Sequence, residues 1–264
     1  MPEGDTVWRT ARALDRALAG HPLTETDFRV PALATVDLTG GLVRQTVSRG
    51  KHLLTHIDRE HLSWTLHTHL KMEGSWQVYG EGQRWRRPAH QARAVLGVPG
   101  RVAVGFSLGI VELLPRSEEH RVVGHLGPDL LGVDWDEEEA VRRLLTAPER
   151  PVREALLDQS NLAGIGNMYA TELCFLQGLH PDRPVGEVPD LLRLVRRAHL
   201  VLETNKDRPV QATTGDLREG RRVWVYRRER QPCRRCGTPV LVGLRGEPGR
   251  ERAAYWCPRC QPAD

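Results

Sequence analysis

Four cysteines carry the strongest chemical signal in the chain. They fall in two pairs, Cys233-x2-Cys236 and Cys257-x2-Cys260, separated by 20 residues. Paired thiolates at this spacing are tetrahedral ligands on two β-knuckles, and four sulfurs leave no open coordination position. The implied metal is therefore one structural zinc ion. In a module of about 30 residues with little core, metal binding supplies on the order of 10 kcal/mol of apparent folding free energy. Two disulfides are the alternative, but they suit an oxidising compartment rather than paired CxxC spacing. Cys174, between Leu173 and Phe175, reads as a buried structural thiol.

The second signal is the opening Met1-Pro2-Glu3-Gly4. Removal of Met1 would expose a proline secondary amine, a nucleophile whose pKa of about 8, against about 10.4 for lysine, leaves far more of it unprotonated near neutrality. An amine that attacks a sugar C1′ forms an imine, which acidifies the C2′ proton and permits loss of the 3′-phosphate. Glu3 stands next to it as a proton carrier. Lys51, after Arg49-Gly50, is one of three lysines beside 35 arginines. It reads either as a proton donor that also grips a phosphate or as an ordinary strand-end cation.

Two further features have a chemical and a plain reading. Gly164 and Gly166 before Asn167 aim N–H groups and an amide at a phosphate near a helix start, or simply join two helices. Arg252, near Arg245 and Arg250 between the cysteine pairs, makes the finger a DNA clamp or a solvated loop. His52, His56, His67 and His69 raise a metallohydrolase site. No carboxylate has a ligand spacing to them, so they read better as strand or DNA-facing residues.

Net charge is only +4, but it is unevenly spread. Arg218 to Cys260 holds 12 arginines against four glutamates, +8, which leaves about −4 for the remainder. Clustered guanidinium groups suit phosphate contacts and salt-dependent binding by counterion release, or simply form a solvated face. The chain has no run of about 18 apolar residues, and residues 1–25 carry charges throughout, so neither a membrane span nor a signal peptide is expected. A cytoplasmic protein is expected.

The elements that must position these residues are legible from periodicity. Val7, Trp8, Ala11, Leu14, Ala17 and Leu18 predict a helix from Asp5 to Gly20, with Asp5 and Thr6 available as caps. From about Thr26 to Leu114, short β-rich runs (62–70, 92–98, 102–106) punctuated by glycine and proline read as a sandwich or barrel. Gly127, Pro128 and Gly132 mark a linker before helices over roughly 136–205, and Gly178 closes the helix that starts at Asn167. Val223 to Tyr226 and the cysteine region read as a small β module. The resulting fold class is multidomain α+β, divided at 1–120, 133–218 and 222–264.

Taken together, Pro2-Glu3-Gly4, Arg49-Gly50-Lys51, Leu156-Leu157-Asp158-Gln159, Leu162-Ala163-Gly164-Ile165-Gly166-Asn167 and the four-cysteine finger resemble the formamidopyrimidine-DNA glycosylase/endonuclease VIII family. The resemblance runs through nearly the whole chain in the right order. It implies an N-terminal β-sandwich with an N-terminal helix, a helix-two-turns-helix domain and a C-terminal zinc finger. It further implies a monomeric bifunctional DNA glycosylase and abasic-site lyase, with damaged DNA as partner and no small-molecule cofactor.

By that resemblance Pro2 is the imine-forming nucleophile, Glu3 the proton donor for base loss and Lys51 the proton donor in β-elimination. Arg252 binds phosphate and assists δ-elimination, and Asn167 binds the backbone. Lys71 and Met72 fall on the void-filling loop, and His125 falls where relatives often place a DNA-binding arginine. A base inside a duplex shields its sugar, so the nucleotide must be extruded, and a wedge such as Met72 can fill the gap. Thr6 stands where many relatives carry a second glutamate, Glu73 follows Met72, and residues 106–109 lack the Arg-x-Phe wedge pair of the oxidised-purine branch. Met1-Pro2-Glu3-Gly4 and the missing wedge pair favour the endonuclease VIII-like branch and oxidised pyrimidines. The alternatives are an oxidised-purine glycosylase and a non-catalytic damaged-DNA binder.

Overall fold

The computed structural model describes residues 2–249 and 251–263, in two compact units, Met1–His125 and Leu126–Asp264. Arg250 and the fate of Met1 lie outside the described residues.

The first unit opens with α1 (Gly4–Leu18), whose Val7, Ala11, Leu14, Ala17 and Leu18 form one buried face. The helix starts one residue before the sequence reading. Its cap is Glu3, in extended backbone and with no capping side-chain bond, rather than Asp5 or Thr6. The Glu3 carbonyl accepts the first helical bond from Val7 N at 3.0 Å, so the turn closes before a Thr6 cap could act.

Eight strands follow: β1 (Glu25–Phe28), β2 (Leu42–Arg49), β3 (His52–Arg59), β4 (Leu62–His69), β5 (Ser75–Gly80), β6 (Ala92–Val98), β7 (Arg101–Phe106) and β8 (Ile110–Pro115). They form two antiparallel sheets, ordered β2-β3-β4-β8 and β1-β6-β7-β5. Two separate sheets decide for the sandwich over the barrel. Leu53, Ile57 and Leu66 of one sheet meet Ala94, Leu96 and Ala103 of the other, and α1 adds its apolar face to the same core. Each fully buried leucine there contributes about 1.5–3 kcal/mol. On the edge strand β2, the Thr46 N–H donates to the Asp15 carboxylate of α1 at 2.8 Å. A short helix, α2 (His120–Val123), ends this unit.

The second unit holds α3 (Glu137–Leu144), α4 (Val152–Leu157), α5 (Asn167–Gln177) and α6 (Leu191–Lys206), then the hairpin β9 (Leu241–Arg245) and β10 (Arg252–Trp256). Asp136 caps α3 by accepting from Glu138 N and Glu139 N, both at 3.0 Å. Gly178, at φ +69°, ends α5 in the left-handed conformation its position predicts. Leu156, Ile165, Tyr169, Leu173, Leu194 and Leu202 pack the helices together.

One expectation fails here, because Val223 to Tyr226 is not a strand. The N–H groups of Trp224, Val225 and Tyr226 donate instead to the carboxylate of Glu172 on α5, at 2.8, 2.9 and 2.9 Å. Glu172 is wholly buried and also accepts from the Thr213 hydroxyl. A β-like composition is thus held by a carboxylate rather than a ladder. Among the described residues no helix is long and apolar enough to cross a membrane.

Candidate functional site

In the first unit, Pro2 and Glu3 lead directly into α1. Pro2 is half-buried and the Glu3 side chain is completely enclosed. Lys51 sits in the tight turn between β2 and β3, where Arg49 pairs with His52 and Gly50 takes φ +55°. A glycine suits that turn because side chains rarely adopt positive φ.

The β3–β4 register sets His52 opposite His69 and Leu54 opposite His67. His52 Nδ1 lies 2.8 Å from His67 Nε2, and the two rings stack at 5.0 Å. His67 Nδ1 in turn lies 3.0 Å from the Glu112 carboxylate. His69 meets His52 edge-on at 5.0 Å, and His125, exposed at the end of the unit, approaches it at 6.3 Å. Burial, then the neighbouring His69, His67, His125 and Lys51, push His52 down to about 3. Burial, then Lys71 and Lys51, push His69 down to about 4. Both rings are neutral near pH 7. His56 is separate, between Gln45 at 3.0 Å and Glu119 at 2.7 Å. The metallohydrolase alternative gains nothing from this arrangement, because His67 spends both ring nitrogens on Glu112 and His52.

These histidines predict an acid-labile fold. Their folded pKa values lie below the unfolded value of about 6.5, so their contribution is complete above pH 6.5 and is lost as pH falls toward 4 and 3. At pH 5 each costs of order 2 kcal/mol. Thermal melting should show wild-type stability falling between pH 7.5 and 5.0, with a smaller fall in His52→Gln. An equal fall in both proteins would remove His52 as a cause.

Lys71 and Met72 lie in the turn between β4 and β5. Lys71 takes φ +52°, its N–H donates to His69 Nδ1 at 2.9 Å, and the Met72 side chain is 59% exposed. In the neighbouring turn, residues 107–109, Leu108 is buried. No bulky side chain projects there, in keeping with the missing wedge pair.

In the second unit, α4, two turns and α5 form the predicted motif. Gln159 holds the turns, donating to Leu157 O at 2.8 Å and Ile165 O at 2.9 Å while accepting from Gly164 N at 3.1 Å. Gly164 takes φ +115°, which favours glycine. Asn167 is buried at the first position of α5. Its Nδ2 donates to Ala253 O on β10 at 3.0 Å, and its Oδ1 accepts from Arg153 Nη2. Asn167 and Arg252 are thus brought together, because Arg252 directly precedes Ala253.

Arg153 was not evident from sequence. It is 1% exposed, and its Nη2 also donates to Ala253 O at 3.1 Å. Among the described residues its Nε and Nη1 have no hydrogen-bond partner. With Arg150, Arg245 and the exposed Arg252 it lines an open cleft of about 500 Å³. Arg150 is held by Asp158 at 2.6 Å and Arg245 by Asp182 at 2.8 Å. Burial lowers the Arg153 pKa, but a guanidinium remains charged. A buried cation with two unmet donors fits an anionic ligand.

The sulfur atoms of Cys233, Cys236, Cys257 and Cys260 all lie within 4.8 Å of one another and form no disulfide. The Cys233–Cys260 and Cys236–Cys257 separations are 4.0 and 3.4 Å. A tetrahedron of sulfurs 2.3 Å from zinc has edges of about 3.8 Å, so the cluster fits a structural metal. Cys174, fully buried, has its thiol pushed up to about 12 by that burial and is inert, as expected.

The formamidopyrimidine-DNA glycosylase N-terminal domain matches residues 1–106, and the H2TH domain of the same enzymes matches residues 126–204. The chain is 56% identical to a probable endonuclease 8 2 of Streptomyces coelicolor, over 99% of this chain and 94% of that one. It is 48% identical, over 100% of both chains, to the DNA-(apurinic or apyrimidinic site) lyase Nei2 of Mycolicibacterium smegmatis. Its fold matches Lactococcus lactis Fpg, solved with abasic-site DNA, at a TM-score of 0.77 and 21% identity, over 98% of this chain and 99% of that one. A sandwich behind a leading helix, a two-turn helical motif, a four-cysteine hairpin and relatives of this identity along the whole length establish the kinship. The chain belongs to the formamidopyrimidine-DNA glycosylase/endonuclease VIII family, as an endonuclease VIII-like glycosylase and abasic-site lyase.

Proposed function

We propose that the chain excises oxidised bases, pyrimidines by preference, from DNA through an imine on Pro2 and then nicks the strand by β,δ-elimination. The observation that carries this reading is a proline beside a wholly buried carboxyl group at the head of α1, in a chain whose near relatives include a lyase acting on abasic sites.

The freed Pro2 nitrogen bonds to C1′ while the N-glycosidic bond breaks, and the base leaves with a proton from Glu3. Opening of the sugar ring gives an iminium at C1′. Loss of the C2′ proton to water then breaks the C3′–O bond, and Lys51 donates a proton to the departing 3′-phosphate. Arg252 steadies a phosphate and assists the second elimination, which expels the 5′-phosphate, and water releases Pro2. Lys71, Met72 and His125 contact the DNA, with Met72 filling the gap left by the extruded nucleotide. A zinc ion held by Cys233, Cys236, Cys257 and Cys260 supplies folding free energy to the hairpin and takes no part in bond making.

The absence of a projecting side chain at 107–109 favours pyrimidines over purines. Strand cleavage faster at thymine glycol than at 8-oxoguanine is expected, and the reverse order would overturn the pyrimidine preference. The Asn167 corner adds Arg153 to the phosphate grip. Arg153→Met should weaken binding to an abasic-analogue duplex about tenfold and flatten the salt dependence by about one phosphate contact. Melting temperature should change by only a few degrees, because loss of the bonds to Asn167 Oδ1 and Ala253 O is offset by removal of a buried cation with two unmet donors. Binding that survives while stability falls would make Arg153 purely structural.

A further inference from the structure

The Met72 turn and its neighbour at 107–109 are both crossovers between the two sheets. Residues 70–74 carry the chain from β4 to β5, and residues 107–109 return it from β7 to β8. Because β4 pairs with β8 and β5 with β7, the crossovers run side by side. Each is conformationally loaded, with Lys71 at φ +52° and Ser107 at φ +48°. They also touch directly, since a Cβ on Gly109 would fall 2.2 Å from Lys71 Cγ.

One side chain from a third segment, the β5–β6 connection, ties them together. Arg87 Nη1 donates to Glu73 O on the first crossover and to Ser75 Oγ at the head of β5, each at 3.1 Å. Its Nη2 donates to Ser107 Oγ at 3.2 Å on the second. Its Nε donates to Gln91 Oε1 at 2.9 Å, and the Gln91 carbonyl accepts from Ser107 N at 2.8 Å. Four of the five guanidinium donors are used, and the plane lies 5.7 Å from the centre of the fully buried Phe106 ring. A planar fork held on an aromatic face is a fixed template, which a lysine cannot reproduce.

We propose that Arg87 is a positioning residue that holds the Lys71–Met72–Glu73 turn in its projecting conformation, and thereby sets how efficiently the enzyme extrudes a lesion from duplex DNA. The inference rests on the reading that Met72 fills the vacated stack. Arg87 itself touches no reacting atom. Its loss leaves the imine chemistry intact but makes the wedge pay an ordering entropy on each insertion, so duplex substrates suffer and strands without a partner do not.

The experiment compares wild type, Arg87→Met, Arg87→Lys and Ser107→Ala on one abasic site, presented in a duplex and in a single strand, by borohydride trapping under single-turnover conditions. A 2-aminopurine opposite the abasic site reports wedge insertion. In Arg87→Met the duplex rate should fall about tenfold with the single-strand rate within twofold, and the fluorescence rise should shrink. Arg87→Lys and Ser107→Ala should give smaller losses of the same kind. Ser107→Ala keeps the test open should Arg87→Met fail to fold. Equal losses on both substrates, or an unchanged duplex-to-single-strand ratio in every variant, would overturn the proposal. Absence of an adduct from wild type with a confirmed free Pro2 would overturn the imine reading itself, a separate result.

Discussion

Pro2→Gly is expected to lose at least about 10³-fold in trapped adduct with abasic DNA, about 4 kcal/mol of barrier, and a form that retains Met1 is expected to lose all of it. The reason lies in the nitrogen. A secondary amine condenses to an iminium that is cationic at every pH, so it always draws electrons from C2′, whereas glycine's imine must first capture a proton. With Met1 in place, the Pro2 nitrogen is an amide whose lone pair is delocalised into the carbonyl. Glu3→Gln should separate the steps, sparing the adduct with a preformed abasic site while losing base excision. Full trapping by the Met1-retaining protein would show that another amine, with Lys51 the first to test, does the work.

Removing the metal should produce the second large effect. Four thiolates without a cation lose on the order of 10 kcal/mol of apparent folding free energy in the finger, more than a two-stranded hairpin can supply. Because the Ala253 carbonyl is the shared acceptor for Asn167 and Arg153, collapse of β10 also dismantles the corner in which Arg252 stands. Chelation, or Cys257→Ser, should therefore weaken binding to an abasic-analogue duplex at least about a hundredfold, equivalent to about 2.7 kcal/mol. The sandwich, which has its own core, should keep its melting transition. Tight binding by protein verified to be metal-free would refute a finger-dependent grip.

The features legible in the sequence were those whose physics is local. The two CxxC pairs fix their own geometry, Gly178 marks its helix end by φ alone, and α1 announces its buried face by spacing. Hidden features depended on distant partners. Arg153 looks like a solvated helix residue until Asn167, 14 positions on, and Ala253, 100 positions on, enclose it. Arg87 looks like one more arginine in Arg84-Trp85-Arg86-Arg87 until two crossovers meet around it. Glu172 reads as a polar residue within an apolar helix, and residues 223–226 read as a strand, for one reason. Their hydrogen bonds are satisfied by each other across about fifty positions, which no periodicity records.

That last contact also orders events during synthesis. The chain is made from its N-terminus, so α5 and its helical neighbours are complete before Trp224, Val225 and Tyr226 exist. Until then the Glu172 carboxylate keeps its shell of water. Arrival of residues 224–226 replaces that water with three backbone N–H groups and sets the segment leading to Cys233 on a finished helix. The segment entering the finger is thereby fixed to α5 by backbone bonds that do not involve the four cysteines.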